Sequence, residues 1–165
     1  MNTDYKREIQ ERELIKQVTK TPRFVAGMML ISIAVLALLA YTVKIQSNIQ
    51  KTMRENIYWI LIFIIILILI AILSIRKTIY YSTRFIKEND TLDQILHKWT
   101  KIDIILLASG EIIPVLGLII TWLGIPFERT GFIFLVSAIL MIILMPVGIK
   151  TRGKLEILRK HMKVI

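Results

Sequence analysis

The chain alternates long apolar runs with short polar ones. Apolar residues fill 24–43, 57–75, 102–124 and 131–149, runs of 20, 19, 23 and 19 residues. A soluble helix would instead place its apolar residues three and four apart along one stripe. Each run is close to the ~20 residues that a helix needs to cross ~30 Å of hydrocarbon, so the pattern predicts four transmembrane helices. Strands of a membrane barrel would need segments of roughly ten residues alternating in polarity, and the stretch 61–70 is apolar at every position. The first run follows 23 residues of mixed acids and bases and is longer than the apolar core of a cleaved signal peptide, so it is read as a retained helix.

The polar stretches carry weaker patterns. After Asn89-Asp90, Thr91 and Gln94 stand in capping-box spacing, and Leu92, Ile95, Leu96 and Trp99 recur as i, i+3, i+4, i+7. This predicts a short amphipathic helix in the central loop, lying on the inner membrane surface with Trp99 at headgroup depth. Tyr5, Ile9, Leu14, Ile15 and Val18 give the N-terminal segment a fainter apolar stripe, which Pro22 is expected to end or kink. The expected organisation is a cytoplasmic amphipathic segment over 1–23, a four-helix membrane domain over 24–149, and a basic cytoplasmic tail over 150–165.

Charge orients this frame. Lysines and arginines number six before residue 24, three in 44–56, six in 76–101, one in 125–130 and six from 150 onward. Summed by side, that is 18 against 4, so the positive-inside tendency predicts two hairpins that start inside, with both termini in the cytoplasm. Tyr41, Tyr58, Trp59 and Trp122 then fall at outer ends and Tyr80, Tyr81 and Trp99 near inner ends, where amphipathic rings anchor spans. The net charge of +10 is accounted for by cations facing an anionic leaflet, and nucleic acid is not expected as a partner. Membrane lipids are, together with other membrane subunits or further copies of the chain.

Small and polar residues inside the spans narrow the picture. Lipid gives helices no hydrophobic reason to associate, so small residues mark faces where backbones approach. The second span holds ten isoleucines in nineteen residues and only Ala71 and Ser74 as small ones, so it is expected to be the most lipid-exposed. In the third, Asp103, Gly110, Pro114, Gly117, Thr121 and Gly124 fall within about 40° of one line at 100° per residue. That helix is predicted to be central, with Ala34, Ala37 and Ala40 of the first span as its neighbours.

Glu111 is the ionisable residue deep in a span, and no Lys, Arg or His lies in any of the four runs. A charged side chain at mid-bilayer costs about 2.5–3.5 kcal/mol on insertion scales, so Glu111 is expected to point inward and to be protonated, paired or ion-bound. Ser32 is predicted at similar depth. Pro114 cannot donate to the carbonyl of Gly110, which frees an acceptor beside the acid. Glu111, Ser32 and Gly110 are therefore the candidate proton or cation site; the competing reading makes Glu111 a hydrogen-bonded strut between helices. Asp103, next to Lys101 at the interface, is expected to be solvated.

There is no cysteine, and His97 and His161 stand apart without a metal-ligand spacing, so neither metal nor cofactor is expected. No catalytic motif such as GxSxG or HExxH occurs, which disfavours an enzyme. Three roles remain. The favoured one is an accessory or structural subunit, or a small stand-alone membrane protein, acting through helix packing in assembly, stress response or immunity to a membrane-active agent. The others are an oligomeric proton or cation transporter or channel centred on Glu111, and a pore-forming lysis protein.

Overall fold

The computed structural model describes residues 3–42, 51–81 and 92–146. They form five helices: α1 Thr3–Thr42, α2 Lys51–Tyr81, α3 Leu92–Gly110, α4 Ile112–Trp122 and α5 Phe127–Leu144. Four stretches are long and apolar enough to cross a membrane, namely Thr19–Thr42, Met53–Thr78, Gln94–Trp122 and Phe127–Leu144. The chain is thus an all-helical protein with four candidate spans, and the described residues contain no strand. The Asn89-Asp90 break, the Thr91 cap, the last three residues of the fourth apolar run and the basic tail lie outside the described residues. So do the side chains of Tyr5, Ile9, Leu14, Ile15, Val18, Tyr80 and Tyr81.

Contacts at the two ends establish an up-down-up-down bundle. At one end α1, α2, α4 and α5 meet: the rings of Tyr41 and Phe127 stand edge to face at 5.6 Å, and the Arg54 guanidinium donates to the Gly124 carbonyl at 3.1 Å. At the other, Arg23 Nε of α1 donates to the carbonyl of Pro146, just past α5, at 2.9 Å.

α1, α2 and α5 each bury a seam. On α1 it runs through Thr19, Ala26, Ile33 and Ala40, seven residues apart; on α2 through Tyr58, Ile65 and Ile72; on α5 through Thr130, Ile133, Ser137, Leu140 and Leu144. Such repeats average 3.5 residues per turn, the spacing that suits shallow left-handed crossings. α1 packs on α3, α4 and α5, whereas α2 packs chiefly on α3 and α4. The lipid exposure expected of the second span is shared by the first, since both bury only 17% of their most apolar stretch, against 44% for Gln94–Trp122. A single seam leaves most of α1 and α2 outward, whereas α4 buries six of its eleven residues.

Prolines set element ends differently from expectation. Pro22 lies inside α1 and does not end it. A missing backbone bond costs ~3 kcal/mol or more in a helix interior, but Pro22 is fully buried in the seam between Thr19 and Ala26, so tertiary packing offsets the loss. Pro146, by contrast, ends α5 at Leu144. It forces the preceding Met145 out of helical geometry, to φ −55° and ψ 126°.

The separate surface helix expected in the central loop is not present as such. Leu92–Gly110 is one continuous helix, so the amphipathic segment forms the first turns of the third span. Of its apolar stripe, Ile95, Leu96 and Trp99 are all buried against protein, and the Leu92 side chain lies outside the described ones.

Candidate functional site

The third span is interrupted at one residue. Pro114 has no N–H for the Gly110 carbonyl and its ring crowds that oxygen, so the ladder breaks between Gly110 and Ile112. Glu111 occupies the break at φ −67° and ψ −18°, and its N–H closes a tighter bond to the Ala108 carbonyl at 3.2 Å. The backbone path therefore continues in nearly the same direction.

Gly110 sits where α3 touches α5, and a Cβ there would lie 2.9 Å from Met141 Cε. Two turns further, a Cβ on Gly117 would lie 3.1 Å from Ile133 Cγ2 and 3.2 Å from Phe134 Cζ. The small face predicted to pack on the alanines of the first span is thus filled largely by α5. Asp103, Gly110, Pro114, Gly117 and Thr121 on that face are buried. Asp103, expected to be solvated, is only 7% exposed, because the helix continues as protein-packed turns on both sides of it.

Gly124 serves the chain reversal instead of packing. Its φ is +85°, a left-handed conformation that glycine adopts without a Cβ penalty. Its N–H bonds to the Thr121 carbonyl at 2.9 Å, and Pro126 caps the start of α5 two residues later. From α2, Arg54 caps the turn, while Glu55 pairs with Arg129 at 2.8 Å on the exposed surface.

On α1, Ala40 is buried, Ala37 half-buried and Ala34 exposed. Ala34 follows the seam residue Ile33 by about 100° of helix rotation, which turns it away from the bundle. Ser32 is half-buried, and among the described residues no hydrogen bond joins it to Glu111. The structure therefore brings Gly110 and Glu111 together by adjacency but does not link Ser32 to them.

Two polar residues that the sequence reading did not single out lie in the core, Thr130 and Ser137, both 0% exposed. Ser137 Oγ donates to the Ile133 carbonyl at 2.8 Å, and Thr130 meets Thr121 across the hairpin. Their seven-residue spacing on the fourth span was a signal of a packed face.

Glu111 itself is half-buried, between buried Gly110 and exposed Ile112. Its Oε2 is enclosed and has no hydrogen-bond partner among the described residues. A strut between helices would need such a bond. The described residues also hold no group of three His, Cys, Asp or Glu side chains placed for a metal ion. What remains is a lone carboxyl at mid-span with one oxygen enclosed and without a partner among the described residues. No protein family, curated protein or solved structure matches this chain.

Proposed function

We propose that this is a small multi-pass protein of the cytoplasmic membrane, with both termini in the cytoplasm, that acts through contacts with other membrane helices as an accessory or structural subunit. The observation that carries the reading is the Glu111 oxygen, enclosed at mid-span with no in-chain partner among the described residues. An unsatisfied polar group in hydrocarbon is costly, and a contact with another chain removes that cost. Purification from native membranes, with mass spectrometry of the co-purifying chains, tests it. A stoichiometric complex with a second membrane protein is expected; a chain that runs only as a monomer or homo-oligomer would sink the reading.

The same carboxyl supports a second reading, an oligomeric proton or cation pathway centred on Glu111. Its position at a proline break, beside the Gly110 carbonyl that Pro114 deprives of its usual i+4 donor, favours ion binding. A reconstituted flux that vanishes in Glu111→Gln, with folding intact, would select this reading over the first.

A further inference from the structure

We infer that Glu111, with the exposed stripe beside it, receives a membrane helix from a different protein that carries a lysine or arginine at the same depth. This rests on the helix-contact reading above and names the partner's chemistry. The stripe consists of Ile105, Ala108, Ile112, Val115 and Ile119, spaced alternately three and four apart and all exposed. Seen from outside, α3 and α4 thus offer one straight seam across the Glu111 break, of the spacing a second helix packs against at a shallow left-handed angle. Ala108 is its one small residue. It precedes Glu111 by three positions, so a partner backbone comes closest at the carboxyl's depth.

Elimination identifies the partner. Lipid tails donate no hydrogen bond. A second copy supplies no cation, since 24–43, 57–75, 102–124 and 131–149 contain no Lys, Arg or His, and it would set a further carboxyl against the first. A cationic side chain on a foreign helix neutralises the carboxyl and supplies donors at once. Glu111 is half-buried and stands three and four residues from Ala108 and Val115, so it borders the stripe; a change of side-chain rotamer swings its enclosed Oε2 outward to meet the partner.

Because the chain has no cysteine, Glu128→Cys at an exposed position accepts a single fluorophore on the full-length protein. The probes are poly-leucine transmembrane peptides with a central Lys, Leu or Glu, each carrying an energy-transfer acceptor, in phosphatidylcholine vesicles. The Lys peptide should bind about threefold to about twentyfold more tightly than the Leu peptide, the range of interhelical polar contacts in membranes. That preference should vanish in Glu111→Gln, and Ala108→Leu should weaken binding by crowding the seam. Equal binding of Lys and Leu peptides to folded protein, or a preference that survives Glu111→Gln, overturns the inference. If the native complex persists in Glu111→Gln, the helix-contact reading stands while the cationic partner falls; if no complex co-purifies, the broader reading fails first.

Discussion

The Oγ1 atoms of Thr121 and Thr130 lie 3.0 Å apart in the core, tying the end of α4 to the first turn of α5. Thr121 Oγ1 also lies 3.0 Å from the Gly117 carbonyl. The two distances fit one order of donation, in which Thr130 donates to Thr121 and Thr121 donates back into its own helix. Thr130→Val removes the inter-helix donor and keeps the shape. It should cost ~0.6 kcal/mol and no more than ~1.7 kcal/mol, the span of such bonds in membrane bundles. A double-mutant cycle with Thr121→Val, read by unfolding in mixed micelles, measures the coupling; additive single effects would remove the pair from the account of the hairpin.

The two buried glycines of the third span should respond unequally. At Gly110 the crowding atom is the mobile end of Met141, whereas at Gly117 it is the β-branched Ile133 and a Phe134 ring. Gly117→Ala should therefore destabilise more than Gly110→Ala, and Gly117→Leu should cost ~1–3 kcal/mol by overpacking. Ile66→Leu, on an exposed position of α2, should be nearly silent. Thermal stability in detergent checks the order, which fails if Gly110→Ala proves the costlier.

Glu111 gives a prediction of opposite sign. Since its enclosed oxygen makes no bond among the described residues, Glu111→Met should leave the isolated chain as stable as the wild type or raise it by up to ~1–3 kcal/mol, by removing an unsatisfied polar atom. The same substitution should weaken any native complex. A loss of more than ~1 kcal/mol for the isolated chain would reveal an internal partner and restore the strut.

Orientation is open to a direct test. Reporter fusions after Lys51, Lys98, Arg129 and Met162 should read outside, inside, outside and inside, as the sorting of 18 cations against 4 requires. An external signal from the fusion after Met162 would reverse the proposed topology.

The spans were legible because apolar runs of bilayer length leave few other solutions, and the break at Glu111 because Pro114 has no N–H to offer the Gly110 carbonyl. Other features depend on what lies opposite a residue. Pro22 and Pro146 look alike in sequence, yet the first is carried inside α1 by the packing around it and the second ends α5. A stripe of glycines shows that a helix is approached closely but not by which neighbour, so α5 rather than α1 against Gly110 and Gly117 emerged only in three dimensions. Trp99 carries the same ambiguity, because an amphipathic stripe suits a bilayer surface and a protein groove equally well. Whether Glu111 had a partner within the bundle was likewise not written in the spacing of its own helix.

The early stop at Pro146 sets a length. α5 is 18 residues, Phe127–Leu144, or ~27 Å at the ordinary helical rise. The apolar stretch Met53–Thr78 of α2 has 26 residues, or ~39 Å. One wall of the bundle is thus slightly short for a typical hydrocarbon layer and another clearly long. The mismatch is accommodated by pinching the bilayer beside α5 and by tilting α2 or letting its ends protrude. Lipids of short chain length should therefore gather along the α5 face.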